Sequence, residues 1–596
     1  MSRIFRRLPR VFALASCALL VSFAAFAQEL RITDLSPDNK DSVLDRKTFL
    51  ITAKGLSEEA AKPMLNGQEI PPSQVSRMPG AISVSLEGND YSSGALWIEQ
   101  GKAVSNAVWL SLAGSYVVAA TEDEVAENMD GLTTYVDLVS VIIEESHNGA
   151  EEAAKLAEKF GASIVGAIPP LNTYQLRLPV SNLTERDALI LRLGNEVSVD
   201  AVVIEETSAE SQPKPQERDQ SGSPSTSASN QKEWTANRFL DAVNYYTRRM
   251  SSEDEPVKTH PIRVGVIERD VDFDAPDFSD YLGNCRAEKN RTCVYARDAQ
   301  QPEDHGSTVT GILAAGWNNG GNSGFLSGLN KANPGFDVIV DRGSDAGITA
   351  NVAASVNLVQ DGVRVLNWSW GIHRIGAVSV EGEEVDSLVR SGLAMNGYEE
   401  LLEEFFLWLR REHPDVVVVN SAGNASSYSS RDEYRLPSSF VTEQLFVVGG
   451  HELSKEKGLS VDDPGYANKR KASNIDMRVD VTAAACARGS TAESGKQGRV
   501  HCGTSYATPL VTGLLAAMMS VDPQLTPEQL RMLLRRSAMT IGEEYDFEPV
   551  DADDLTSPIL PSERGNNLND PDVGHSARLD MQEALHLTVQ SLDRAR

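Results

Sequence analysis

One stretch decides the architecture. Leu510-Val511-Thr512-Gly513-Leu514-Leu515-Ala516-Ala517-Met518-Met519 is apolar around its whole circumference rather than along one stripe. A helix of that kind is buried on every side, so other elements must surround it. Apolar strand-like runs precede it at residues 262–267, 363–366, 416–419 and 446–448, alternating with helical segments. That pattern is a parallel sheet with helices on both faces. The expected fold class is therefore multidomain, with an α/β domain of this type over residues 232–596.

The rest of the chain divides by composition. At 596 residues the chain exceeds what one core organises. Residues 28–114 hold short alternating runs (48–52, 81–85, 107–110) separated by turn signals such as Asn66-Gly67, which reads as a small all-β sandwich. Residues 115–206 follow, with a core at 135–206. There strand-like segments (138–143, 174–178, 201–204) alternate with helical ones (150–160, 184–193), a small α+β domain. Residues 207–231 are rich in Ser, Pro and Gln and read as a linker.

The N-terminus sets the expected compartment. Four arginines lie within residues 1–10, an apolar run follows, and Ala25-Phe26-Ala27 supplies a small-x-small cleavage pattern. Residues 1–27 read as a secretory signal peptide, giving a secreted or periplasmic protein. The run is short for a membrane span of about 20 residues. A lipoprotein anchor at Cys17 fits less well, because the longer apolar stretch follows that cysteine. The net charge of −30 excludes a nucleic-acid partner that needs a basic footprint. Four cysteines remain after Cys17, close in sequence as Cys285 with Cys293 and Cys486 with Cys502; in an exported chain they read as disulfides, whose connectivity spacing alone leaves open.

The chemistry-bearing residues lie in the last domain. Gly503-Thr504-Ser505-Tyr506-Ala507-Thr508-Pro509 runs into the buried helix and sets Ser505 at its start, where unpaired N–H groups favour developing negative charge. Pro509 is expected near the first turn. Asp304-His305-Gly306 puts a histidine at the mouth of another small-residue helix. The strand 264–267 ends at Glu268, and the strand 417–419 runs on to Asn420-Ser421-Ala422-Gly423-Asn424. Carboxyl ends of parallel strands are where catalytic groups gather.

These segments, in the order acid, His, Asn, Ser, resemble the signature blocks of subtilisin-like serine proteases. Val365-Leu366-Asn367-Trp368-Ser369-Trp370-Gly371, Leu525-Thr526-Pro527-Glu528-Gln529-Leu530 and Arg578-Leu579-Asp580 resemble further blocks of that family. The resemblance implies a serine endopeptidase acting on protein or peptide substrates. Ser505 would be its nucleophile, His305 its general base and acid, and Asn424 its oxyanion donor. Ser369-Trp370-Gly371 and Ser421-Ala422-Gly423 would flank the substrate backbone. Residues 115–206 lie where the family carries an inhibitory propeptide, a partner within the same chain, and residues 28–114 resemble immunoglobulin-like IPT/TIG modules. No cofactor is required; calcium is common in the family, but no ligand spacing marks a site and no metal site is assigned.

One position departs from the pattern. The family has Asp followed by Ser or Thr and Gly, whereas this chain has Glu268-Arg269-Asp270. Glu268 keeps a carboxylate on an arm one methylene longer, and Asp270 is the alternative acid. The departure also leaves an alternative function, an inactive or impaired binding protein on the same fold. An α/β-hydrolase esterase is disfavoured: Gly503-Thr504-Ser505-Tyr506-Ala507 lacks the last Gly of G-x-S-x-G.

Overall fold

The computed structural model describes residues 29–595, apart from 39–42, 44, 58–60, 89, 208–229, 253–256, 286–290, 301–303, 318, 320, 380–381, 386–388, 428–434, 475–478, 491–496 and 542–575. The leader, Cys17 and nearly all of the expected linker fall outside the described residues.

Among the described residues a ten-stranded sheet organises the C-terminal region. Its order is Cys293–Tyr295, Phe336–Val340, Ile262–Val266, Val363–Trp368, Val417–Ser421, Leu445–Leu453, Val479–Ala484, Ser576–Arg578 and Met539–Ile541, with Ala467–Lys469 pairing Leu445–Leu453. The central strands pair parallel, and they are the apolar runs that read as buried strands. The helix Thr504–Val521 lies against them and is the described helix apolar and long enough to cross a membrane. It is buried in the core instead, with every residue except Ser505 withdrawn from solvent.

The N-terminal all-β region forms two sheets, Arg31–Pro37, Thr48–Lys54, Ala81–Ser85 and Val75–Met78 in one, Ala61–Leu65 and Gly94–Gln100 with their short partners in the other. Ile32, Ile51, Ile82, Val84, Leu96 and Ile98 fill the space between them. This region is fastened to the edge of the large sheet. Buried Asn106 accepts from the Ile32 N–H (2.8 Å) and donates to the carbonyls of Ile32 (3.1 Å) and Ala296 (2.8 Å). Trp109 donates to Asp361 (3.0 Å) and meets the Tyr295 ring edge-on. An edge strand covered in this way cannot pair with another chain.

Residues 125–207 contain the expected alternation, with two strands more than the periodicity suggested, Val125–Glu127 and Ser163–Ile168. The antiparallel sheet is carried by Thr133–Ile143, and its strand Val199–Thr207 packs on helices Gly347–Gln360 and Gly392–Glu412. Two adjacent carboxylates end that strand at two helix N-termini. Glu205 accepts from the Thr349 N–H (2.9 Å), the Thr349 hydroxyl and the Tyr398 hydroxyl (2.9 Å). Glu206 accepts from Ser391 N (2.8 Å) and Oγ (2.7 Å), the residue that caps the second helix. Carboxyl oxygens placed there satisfy N–H groups that have no partner within their own helices. Gly347 is required beside it, with φ +66° and a Cβ position 2.3 Å from the Glu205 Oε2.

Burial pushes the Glu205 carboxyl above its ordinary value of 4.5, against the hydrogen bonds from Thr349 and Tyr398 that pull it down. A raised carboxyl stabilises the docked state fully below its ordinary value, and the contribution is lost as pH rises through the raised value. The stability advantage of wild type over Glu205→Gln is therefore expected to shrink as pH climbs from 4.5 toward neutrality. Paired thermal melts across that range measure it, and an advantage that grows with pH would contradict it.

Candidate functional site

Glu268 lies just beyond the strand Ile262–Val266, and His305 is the second residue of helix Asp304–Ala314. The two meet: His305 Nδ1 stands 3.0 Å from Glu268 Oε1, with the carboxylate side chain 15% exposed and the imidazole 39%. The loop after Glu268 is tied to the histidine's helix, because the Asp272 N–H donates to Ser307 Oγ (3.0 Å). Asp270 belongs with Asp341 and Asp34 among the carboxylates whose fields raise the Arg297 guanidinium against the opposing effect of its burial.

Ser505 opens the helix Thr504–Val521 and is half-buried. Pro509 is not in the first turn, as the sequence suggested, but inside the helix. It has no N–H to give to the carbonyl four residues back, that of Ser505. Ser369 Oγ fills the gap by donating to Ser505 O (2.9 Å), and Ser505 Oγ donates to Ser369 O (3.2 Å). Asn367 donates to Ser369 Oγ (2.9 Å) and accepts from Thr512 (2.9 Å), so the segment is locked to the helix twice. The His305 ring lies 5.6 Å from that of Tyr506, next to the serine.

Asn424 is exposed at the end of the segment after Val417–Ser421. Its Oδ1 accepts from the Thr504 N–H (2.9 Å), which fixes the amide so that Nδ2 is left as a donor next to Gly503. A Cβ on Gly503 would come within 3.2 Å of that Nδ2. Gly423 holds the turn at φ +107° and gives its N–H to Thr504 Oγ1 (3.0 Å). Behind it, Asn474 Oδ1 accepts from the N–H groups of Ala425 (2.9 Å) and Ser427 (3.0 Å).

Ser369, Trp370 and Gly371 follow the strand Val363–Trp368, while Ser421, Ala422 and Gly423 end and follow the neighbouring strand Val417–Ser421. Buried Asn420 joins them, its Nδ2 donating to Trp368 O (2.9 Å) and Trp370 O (2.7 Å). Trp370 is half-buried and stacks at a tilt on Trp368, centroids 5.0 Å apart. Asn367, Asn420 and Asn474 carry roles that sequence reasoning did not assign. The first two had a signal, a polar residue closing an otherwise apolar parallel strand; Asn474 had none. Two disulfides join Cys285 with Cys293 and Cys486 with Cys502, Cα atoms 5.5 and 4.1 Å apart. The second closes the hairpin Cys486–Ser490 and Gln497–Cys502 immediately before Gly503.

The profile of the subtilase family matches residues 259–574, more than half of the sequence. The chain belongs to the subtilase family. A probable subtilase-type serine protease of Deinococcus radiodurans is 24% identical over 237 residues, 39% of this subtilase and 28% of that protein. Subtilisin DY of Bacillus licheniformis is 24% identical over 244 residues, 41% of this chain and 73% of its own. Among solved structures, fervidolysin from Fervidobacterium pennivorans, a keratinolytic enzyme related to subtilisin, is 17% identical with a TM-score of 0.47; the match covers 80% of this chain and 65% of fervidolysin. The epidermin leader peptide processing serine protease of Staphylococcus aureus is also 17% identical, with a TM-score of 0.45, covering 76% of this chain and 98% of that one. This subtilase thus spans about a quarter of the Deinococcus relative and just under two thirds of fervidolysin.

Removing the Asn420 amide takes the side-chain donor from a buried carbonyl, that of Trp368, and a part-buried one, that of Trp370. Asn420→Ala is expected to destabilise the protein by about 2–4 kcal/mol, read as a lower denaturation midpoint at unchanged slope. A change below about 0.5 kcal/mol, the range of neutral surface substitutions, would contradict the assignment.

Proposed function

We propose that this protein is an exported serine endopeptidase that hydrolyses peptide bonds through an acyl-enzyme on Ser505. The observation that carries the reading is the 3.0 Å contact between His305 Nδ1 and Glu268 Oε1. With Nδ1–H engaged by the carboxylate, Nε2 is the basic nitrogen, able to take the Ser505 proton as the hydroxyl attacks and to return it to the leaving amine. Glu268 orients the ring and stabilises the imidazolium. Asn424 Nδ2 and the Ser505 N–H, an amide of the first turn without an intrahelical partner, would receive the oxyanion. The contact supports activity over the alternative of an inactive binding protein, because the longer Glu268 arm still meets the imidazole.

Ser369-Trp370-Gly371 and Ser421-Ala422-Gly423 would hold the substrate backbone as an added strand on each side. The chemistry needs no cofactor. Residues 115–206 are proposed to act as a prosegment; the pairing of Glu205 and Glu206 with two helix N-termini of the α/β domain supports this. Export is supported by the leader-like residues 1–27 and by the two disulfides. The β region 28–114 would stay attached to the mature enzyme through Asn106 and Trp109.

Wild type is expected to degrade casein and Ser505→Ala is not; equal behaviour would overturn the reading. Glu268→Ala should lower kcat by about 10⁴-fold and Asn424→Ala by about 10²–10³-fold, with KM little changed in both, measured on a peptide substrate. Residues 115–206 supplied separately should inhibit the mature enzyme, and failure to inhibit would remove the prosegment assignment alone.

A further inference from the structure

A cation is buried between two glycines of the site. Arg435 begins the short strand Arg435–Leu436, which pairs antiparallel with Ile372–Arg374 directly after Gly371. It is 3% exposed. Nη1 donates to Ser421 O (2.6 Å), Ser438 Oγ (2.9 Å) and Asn420 Oδ1 (3.3 Å), and Nη2 donates to Ser421 Oγ (3.3 Å). Every one of these acceptors is neutral, and among the described residues no carboxylate pairs with it. The isolation is felt by both the arginine and its neighbour. Desolvation pushes the guanidinium down to about 9, and burial followed by the Arg435 charge holds the His373 imidazole at about 3.

A buried charge without a counter-ion is a burden on a fold, and neutral hydrogen bonds repay only part of its desolvation. Sites that break such a rule are where function is to be sought. The position of the side chain says which function. A Cβ on Gly371 would stand 2.1 Å from Nη2, and a Cβ on Gly423 would stand 2.6 Å from Nε. The arginine therefore runs between the two segments read as flanking the substrate, at the point where both lack side chains. Those segments are the ones anchored to the nucleophile's helix, through Ser369 to Ser505 and through Gly423 to Thr504. With a peptide carbonyl over Ser505 and its oxygen toward Asn424, the side chain on the acyl side of the scissile bond would lie toward the guanidinium held between these two segments.

We propose that Arg435 is the specificity-determining residue of the site, and that the substrates are cleaved after Asp or Glu, whose carboxylate supplies the missing counter-charge. The inference rests on the serine endopeptidase reading and narrows it to a substrate class. It runs against the long-range field, since a chain of net charge −30 repels acidic peptides at a distance. Salt screens that repulsion over about 8–10 Å and leaves a desolvated contact largely untouched, so added salt lowers KM for acidic substrates instead of raising it.

The test compares matched peptides carrying Glu, Gln, Asp or Asn before the scissile bond, hydrolysed by the full chain in the form in which it is recovered, with casein hydrolysis measured alongside. Wild type is expected to favour Glu over Gln and Asp over Asn by about 10²-fold in kcat/KM, and to keep that preference in 0.5 M salt. Arg435→Met should bring the ratios near one. Asn474→Asp provides a second variant should the first not fold. The Asn474 amide nitrogen lies within 2.5 Å of the same Gly423 Cβ position that faces Arg435 Nε, so a carboxylate there supplies an internal counter-charge and likewise removes the preference. A protein that degrades casein but treats the acid and amide peptides alike overturns the proposal and leaves the endopeptidase reading standing. A protein that cleaves neither overturns both.

Discussion

Everything in the site is measured from one buried helix. Thr504–Val521 packs against the strands Ile262–Val266, Val363–Trp368, Val417–Ser421, Leu445–Leu453 and Val479–Ala484 and against the helix that carries His305. Close packing on every side leaves it no room to rotate or slide, and its first turn is tied to the ends of the central strands through Ser369 and Gly423. Ser505 inherits that position. Pro509 then turns a local defect into a junction: the carbonyl it leaves without an intrahelical donor is the one Ser369 reaches. Ser505 and the Ser369–Gly371 segment are joined by a bond that an uninterrupted helix would have consumed itself.

Polar groups do the remaining work, and nearly all are buried and satisfied by geometry set elsewhere. Asn420 holds the Trp368 and Trp370 carbonyls, Asn474 the turn beyond Asn424, and Asn106 the junction between the β region and the large sheet. Glu205 and Glu206 bring two carboxyl groups to two helix N-termini, which makes the docking of residues 133–207 a matter of hydrogen bonding as well as packing. Arg435 breaks the pattern, since its acceptors are neutral and its charge is unanswered within the described chain.

Much of the fold was legible because it is written in runs. The four apolar segments of the large domain became central strands, residues 138–143 became the second half of the longer strand Thr133–Ile143, and residues 201–204 the middle of Val199–Thr207. The short spacing of the cysteines matched the two pairs that the structure joins. Local chemistry around Ser505, His305 and Asn424 was visible because each sits at the end of an element with its own signature. Its place at the strand end favours Glu268 over Asp270 as the acid, and it is the carboxylate that meets His305, although the path of the loop that separates the two was not written in the sequence. Asn474, Arg435 and Glu205 left no trace for a related reason. Each acts on residues far along the chain, and nothing in its immediate neighbours marks it. Pro509 was misplaced because a proline deep in a helix is tolerated only when a partner from outside takes the freed carbonyl, and Ser369 lies 136 residues away.

The central claim is that Ser505, activated by the Glu268–His305 pair, is a nucleophile. Its most direct test is phosphonylation by a fluorophosphonate, followed by peptide mapping of the modified residue. The account predicts one label per chain, carried by Ser505, with a rate that falls sharply in Glu268→Gln. Absence of labelling, a label on another residue, or a rate indifferent to Glu268 would contradict it.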